Sequence, residues 1–84
     1  MLMNVYAMRD VHNGFLSPSL DTNHATAKRN FAFFINNNPG VIGFRPGDFD
    51  LYWLGKFDSD SGKMENLEVV EFVVNGASLV GDSE

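Results

Sequence analysis

Residues 48–58, with the sequence DFDLYWLGKFD, alternate bulky apolar side chains with acidic or polar ones. This period of two is typical of a β-strand that buries one face. The buried face would carry four large side chains: Phe49, Leu51, Trp53 and Phe57. Gly55 interrupts this set and predicts a β-bulge or a close approach of a helix. Such a strand needs a covering layer, which the rest of the chain must supply.

Residues 21–40 contain the only helical pattern and predict the covering helix. Its apolar positions fall at i, i+4, i+7 and i+8, on one stripe that would face a sheet: Ala27, Phe31, Phe34 and Ile35. Three short polar side chains could cap the first turn: Asp21, Thr22 or Asn23. Pro39 disfavours helix at the preceding residue, so the helix should end within the NNNPG run.

Two strands should precede the helix, because residues 3–10 and 15–21 flank an Asn13-Gly14 turn signal. Pro18 cannot donate to a ladder, which places the second strand at an edge or at a bulge. After the helix, residues 41–48 read as a loop or an extended connector that turns at Pro46 and Gly47.

The last strand should lie within residues 65–80, after a polar hairpin turn at residues 58–63 in which Gly62 adopts a left-handed conformation. Its second half is apolar on both faces, which is typical of a central strand or of one covered by a partner subunit. The order ββαββ predicts an α+β fold, with one helix across a small antiparallel sheet of about four strands. We expect a single domain over residues 1–80 and a flexible tail at residues 81–84.

The composition restricts what can stabilise this fold. The chain has 84 residues, no cysteine and two histidines, so disulfides are excluded and a structural zinc site is not expected. Eight Phe, two Tyr and one Trp must form the core, and so small a domain favours a homo-oligomer. The N-terminus lacks the pattern of a signal peptide and the longest apolar run is five residues, FAFFI, so we expect an intracellular protein outside the membrane.

No motif for catalysis, a cofactor or a metal is present. Asp58 and Asp60 match two positions of a calcium-binding loop, but Lys63 and Val69 occupy the positions that need Gly and Glu. The histidines lie at a turn and at a helix start, where we expect them to be solvated, and no base, orienting group and oxyanion donor occur together. We therefore expect no enzyme activity and no cofactor.

The net charge of −5 excludes nucleic-acid binding by bulk charge, so any such binding needs a local basic patch with the acids elsewhere. Lys28 and Arg29 are adjacent on the predicted helix, and Phe33 lies one turn after Arg29, away from the apolar stripe. A base could stack on Phe33 while the cations contact phosphates. Alternatively, Phe33 packs against a second subunit. Three further residues could extend the patch if they lie near the helix: Arg45, Tyr52 and Lys56.

Several stretches resemble a known viral family: VYAMRD, FLSPSLDTNHATAKRNF, NNPG and RPGDFDLYWLGKFDSDSGKMENL. The chain is similar, over roughly residues 5–74, to the small non-structural DNA-binding protein of gokushoviruses, the Microviridae phages with small circular single-stranded DNA genomes. Positions that match the pattern of that family are Ala27, Arg29, Phe31, Pro46, Asp48, Phe49, Leu51, Gly55, Phe57, Asp58 and Gly62. The sequence departs from the pattern at Gly47, Trp53 and Lys56.

The resemblance implies a role in the switch from double-stranded replication to single-stranded genome synthesis and packaging, in the host cytoplasm. The partners would be DNA or the replication machinery. Two hypotheses follow. The first is a protein that binds single-stranded DNA through Lys28, Arg29 and Phe33. The second is an oligomeric protein-interaction module that contacts phage replication or capsid components.

Overall fold

Four strands form one antiparallel sheet in the order β2-β1-β3-β4, and the main helix lies between β2 and β3 in the chain. This computed structural model describes residues 1–81, so the predicted tail lies outside the described residues apart from Gly81. The predicted ββαββ order and α+β class are confirmed. The elements are β1 (Leu2–Asp10), β2 (Gly14–Asp21), α1 (His24–Asn37), α2 (Val41–Phe44), β3 (Phe49–Asp58) and β4 (Met64–Asn75), with 3₁₀ turns at Pro46–Asp48 and Gly76–Leu79.

The β1–β2 hairpin turns where the sequence predicts it. Asp10 accepts hydrogen bonds from the backbone N–H of His12 at 2.9 Å and from Asn13 Nδ2 at 3.0 Å, and Gly14 has a φ of 91°. A residue with positive φ after a short turn is typical of hairpins with a bulge. Pro18 lies in the edge strand β2, beside a register shift in its pairing with β1. Its predicted place is confirmed.

Helix α1 begins and ends as its sequence indicates. Asn23 is the N-cap, and its Oδ1 accepts a hydrogen bond from Thr26 N at 2.8 Å. The helix ends at Asn37, and Asn38 is already extended before Pro39. On the predicted stripe Phe34 is the exception, because it lies at the β2 side of the helix, near Ser19 and Asp21, and is 42% exposed. Ala32 takes its place in the core.

A bulge in β3 changes which side of the sheet each side chain faces. Trp53 lies opposite Tyr6 on β1, whereas Gly55 lies opposite the next residue, Val5, so Leu54 is unpaired in this register. An extra residue reverses the alternation after it. Phe57 therefore lies on the sheet face opposite α1, and its predicted place on the helix face is wrong.

The close approach predicted at Gly55 involves β4 and not the helix. Gly55 has a φ of 156°, and a Cβ at this position would overlap the backbone of Glu65 and Asn66. Strand β4 is an edge strand, so the central position considered from its sequence is wrong. Residues 67–70 have no partner in the β3 register, so the pairing of β3 with β4 is irregular at this stretch.

The connector after α1 is helical where an extended loop was expected. Backbone hydrogen bonds from Phe44 N to Gly40 O at 3.1 Å and from Arg45 N to Val41 O at 2.7 Å close the turn of α2. The turn brings Ile42 into the core, and burial of this side chain favours a compact path over an extended one. The expected turn at Pro46 forms part of a 3₁₀ turn.

The core lies between α1 and one face of the sheet. It contains residues from four elements and the second 3₁₀ turn: Tyr6, Ala27, Phe31, Ala32, Ile35, Ile42, Phe49, Leu51 and Leu79. We call the opposite face of the sheet the outer face; no helix or strand among residues 1–81 covers it. In the same part of the chain, no helix is both long and apolar enough to cross a membrane.

Candidate nucleic-acid interface

Lys28 and Arg29 line an open groove beside α1. The groove has a volume of about 480 Å³ and is bounded on one side by the helix and on the other by Val74, Ser78 and Leu79. The helix presents alanines here, at positions 25 and 32, and such short side chains leave room between the helix and the end of β4. Both cations are exposed. The structure thus brings together the two basic residues at the centre of the predicted patch.

Phe33 lies one turn after Arg29 on the solvent side of the helix. It is 62% exposed, and the buried stripe of α1 points the other way. Residues at i and i+4 are neighbours on a helix surface, so Arg29 and Phe33 form a cation and an aromatic ring side by side. This pair can offer a stacking surface and a phosphate contact within one turn of helix.

Arg45 belongs to a different element from this pair. It follows α2, and its Nε lies 3.8 Å from Asp48 Oδ2, within an exposed i, i+3 ion pair. Such exposed pairs are weak, since water screens them. Phe44, directly before Arg45, is 81% exposed. The connector therefore offers a second exposed arginine with an adjacent aromatic ring.

Tyr52 and Lys56 do not join the helix patch. Tyr52 is on the outer face, where its ring lies between Phe15 and Phe72 at centroid distances of 5.4 and 5.8 Å. Lys56 follows the β3 bulge and lies opposite Asn4 on one neighbouring strand and Glu65 on the other. An acidic residue is thus the cross-strand neighbour of Lys56. The six predicted residues therefore do not form one continuous surface.

The acids are segregated from the helix in sequence. Residues 22–47, which include α1 and α2, contain no Asp or Glu but carry Lys28, Arg29 and Arg45. This stretch also carries three exposed phenylalanines: Phe33, Phe34 and Phe44. With a net charge of −5 overall and +3 in this stretch, the remaining residues have a formal charge of −8. Basic and aromatic side chains are therefore concentrated in the layer that covers the sheet.

A polar contact fixes the start of α1 on the sheet. Tyr6 Oη lies 2.5 Å from His24 Nδ1, and the His24 ring also packs edge-on against Trp53 at 5.1 Å between centroids. Burial raises the pKa of the Tyr6 hydroxyl, and the charge of Asp21 adds to this. His24 is half-buried, so its expected solvated position is wrong. Trp53 Nε1 donates to Gly55 O at 2.8 Å, which ties the ring to the bulge.

The acidic loop at residues 58–63 is a hairpin turn. Asp58 Oδ1 accepts a hydrogen bond from Asp60 N at 2.9 Å, and this bond lowers the pKa of the Asp58 carboxyl. Gly62 has a φ of 78°, the left-handed conformation expected for it. Within residues 1–81 no three His, Asp or Glu side chains are placed to hold one metal ion.

The family comparison covers nearly the whole of this architecture. Residues 3–79 match the phage ORF5 protein family, a span that includes α1, the connector and all but the first residue of β1. The chain belongs to the phage ORF5 protein family. No curated protein and no solved structure matched it.

Sequence reasoning missed three features of this phage ORF5 protein. The apolar stripe places Phe34 in the core, and an extended connector gives Phe44 no role, whereas both side chains are exposed. The aromatic row of Phe15, Tyr52 and Phe72 was also missed, since it depends on which strands are neighbours. A signal for Phe44 was present, because an aromatic residue directly before an arginine in an acid-free stretch resembles the Arg29 and Phe33 pair.

Proposed function

We propose that this phage ORF5 protein binds single-stranded DNA through the solvent side of α1 and carries out no catalysis. In the phage cycle it would act in the switch to single-stranded genome synthesis and packaging, as the resemblance to gokushovirus non-structural proteins implies. The binding residues would be Lys28, Arg29 and Phe33, and Arg45 with Phe44 would form a second contact after the helix.

The observation that carries this proposal is the acid-free stretch at residues 22–47. A strand of DNA is repelled by a protein of net charge −5 unless its path avoids the carboxylates. The helix in this stretch offers such a path, with Lys28, Arg29 and two exposed phenylalanines, and Arg45 adds a third cation beside Asp48. Stacking on an aromatic ring does not depend on base identity, so the proposed binding has little sequence preference.

The expected affinity is modest. Three cations can neutralise at most about three phosphates, so the logarithm of the binding constant should fall with the logarithm of salt concentration with a slope of about −2. Micromolar binding at low salt and loss of binding at moderate salt follow from so few contacts. Double-stranded DNA should bind less well, because its bases cannot stack on Phe33.

Fluorescence anisotropy with a labelled oligothymidylate of about 20 nucleotides tests the proposal, since each contact covers only a few nucleotides. The double variant Lys28→Gln/Arg29→Gln should lose at least about tenfold in affinity at low salt, and the magnitude of its salt slope should decrease by about 1.4, or about 0.7 for each phosphate contact removed. Phe33→Ser should lose about fivefold or more with the slope unchanged, because stacking is not ionic.

The matched control is Lys63→Gln, which removes one exposed cation from the β3–β4 turn, outside the acid-free stretch. It should bind like the wild type. Absence of any anisotropy change at low salt would remove the proposal. An equal loss in Lys63→Gln and in an Arg29→Gln single variant would mean that only net charge matters.

The second candidate function is an oligomeric module that contacts replication or capsid components. It is favoured by the exposed apolar side chains of β4, which are Met64, Val69, Val70 and Phe72. Affinity capture with immobilised protein from infected cells tests this function. Recovery of a phage replication or capsid protein that is lost with Phe72→Glu would support it, and no such protein in the eluate would contradict it.

A further inference from the structure

The outer face is an apolar surface that residues 1–81 leave open. Strand register places Val5 and Ala7 of β1 at the centre of the outer face. Both residues are buried beneath larger neighbours. Around them lie larger side chains, several of which are about half exposed: Phe15, Leu20, Phe57, Met64, Val70 and Phe72. Soluble monomers rarely expose a continuous apolar patch of this kind.

An aromatic row and an apolar hollow lie at opposite ends of the outer face, measured along the strands. Towards one end, Phe15, Tyr52 and Phe72 form a row of edge-to-face aromatic rings across the strands. Towards the other end, a hollow of about 220 Å³ is lined by Val5, Pro18, Leu20, Phe57 and Met64. The lining of this hollow is almost entirely apolar, so the hollow suits another apolar side chain and not a polar ligand.

Few charges lie on the outer face. Register places Arg9 opposite Asp50 near one end, and alternation along β4 places Glu68 at the edge. This distribution does not suit nucleic acid, since it offers one cation with an acid beside it. It matches the core of a homodimer interface, which is apolar with charges at the rim.

The size of the face also fits a second copy. The Cα atoms extend 39 × 28 × 17 Å, so the molecule is two layers thick and the sheet spans the two longer dimensions. A face of this size can bury the roughly 800 Å² per partner that a stable dimer needs. Pairing through strand edges is less favourable, because Pro18 has no N–H to donate at the β2 edge and β4 is irregular at residues 67–70.

We propose that two copies of this chain pack outer face to outer face, giving a four-layer dimer with α1 of each copy on the outside. The two-fold axis would lie in the plane between the two sheets, perpendicular to the strands, and would pass between the aromatic row and the hollow. This axis places the aromatic row of one copy over the hollow of the other. The strands then pack in an aligned arrangement, as in β-sandwiches. This inference refines the second candidate function and does not depend on DNA binding.

Light scattering coupled to size exclusion, on the full chain up to about 100 μM, tests the dimer because weak homodimers dissociate below their Kd. The wild type should have twice the protomer mass. Phe72→Glu should weaken the dimer about thirtyfold or more, since it replaces an aromatic ring of the row with a charge inside the apolar interface. Phe72 is 53% exposed in the protomer, so this variant should keep its far-UV circular dichroism spectrum.

Phe33→Glu is the matched control, because it makes the same chemical change on the opposite side of the molecule, at a residue with 62% exposure. It should remain a dimer. A wild type that stays monomeric at about 100 μM would overturn the proposal. If Phe33→Glu dissociated the dimer while Phe72→Glu remained dimeric, the proposal would also be overturned, because the interface would then lie at the helix. Phe72→Glu should still bind DNA at low salt as tightly per protomer as the wild type, because α1 lies on the opposite side of the molecule. Loss of the dimer with DNA binding retained therefore separates this inference from the function proposed for α1.

Discussion

Tyr6 Oη and His24 Nδ1 lie 2.5 Å apart and join the middle of β1 to the first residue of α1. The Tyr6 side chain is fully buried, and the His24 ring also contacts Trp53 on the next strand. This polar contact ties the start of the helix that carries Lys28, Arg29 and Phe33 to the sheet, in addition to the apolar packing of α1 in the core.

We expect Tyr6→Phe to lower the free energy of unfolding by about 1 kcal/mol, because the hydrogen bond is lost while the ring still fills its space. Tyr52→Phe is the matched control, since Tyr52 lies on the outer face and contacts other aromatic rings. Urea denaturation at pH 7 measures both. Equal stability of Tyr6→Phe and the wild type would contradict the role given to this contact.

Alkaline pH should destabilise the protein through Tyr6. Burial, with a contribution from Asp21, raises the pKa of Tyr6 above its ordinary value of 10.0, so the folded state holds this proton more tightly than the unfolded chain. The resulting stability is present below pH 10 and is lost as the pH rises through the raised pKa. Denaturation curves between pH 9 and about 11 should show a decline that is weaker in Tyr6→Phe.

Acid should weaken the β1–β2 hairpin through Asp10. The backbone N–H of His12 and the side chain of Asn13 both donate to this carboxylate and lower its pKa. A depressed pKa stabilises the fold above the unfolded value of about 3.9, and that stability is lost as the pH falls through the folded pKa. Asp10→Ala should therefore reduce the difference in stability between pH 7 and about pH 3. Glu68→Ala, on exposed β4, should leave this difference as in the wild type.

Gly55→Ala should be strongly destabilising, by about 2–4 kcal/mol, because the new Cβ would overlap the backbone of Glu65 and force β3 and β4 apart. Gly62→Ala is the control with the same substitution. It also has positive φ, but nothing lies within 4 Å of a Cβ there, so the cost should be about 1 kcal/mol. Chemical denaturation distinguishes the two. If both variants lost a similar amount of stability, backbone strain alone would explain why a glycine is needed at position 55.

Asn36 holds the 3₁₀ turn at Gly76–Leu79 against the helix. Its Nδ2 donates to Leu79 O at 3.0 Å, and its Oδ1 accepts from Gly81 N at 2.8 Å. Asn36→Ala should cost about 1–2 kcal/mol and speed amide exchange selectively in residues 76–81. Asn37→Ala is the control, since within residues 1–81 its side chain bonds only to Phe33 O of its own helix. Unchanged exchange in residues 76–81 would contradict this role.

The sequence could predict those elements whose signals are local. Asn23 caps α1, Pro39 ends it, and Asn13 with Gly14 turns the first hairpin, because each residue acts through its own backbone or the next few residues. Alternation in β3 likewise placed Phe49, Leu51 and Trp53 on the helix face. The acid-free character of residues 22–47 is also legible in the sequence.

What the sequence could not predict depends on contacts between distant segments. The position of the bulge at Leu54 is set by pairing with β1 and β4, and without it Phe57 is assigned to the wrong face. Strand order decides that Tyr52 lies between Phe15 and Phe72 and far from the helix patch. Burial of Ile42 makes the connector helical, and no local signal in residues 41–48 indicates that packing.

Because of the bulge in β3, the number of residues in this strand decides which side chains face the helix and which lie on the outer face. Removing Leu54 would restore strict alternation, turning Phe57 toward the helix and Lys56 toward the exterior. A one-residue deletion could thus replace one apolar side chain of the outer face, Phe57, with a charged one, Lys56. A relative of this chain could therefore change its outer face through an insertion or a deletion at the β3 bulge, without any substitution.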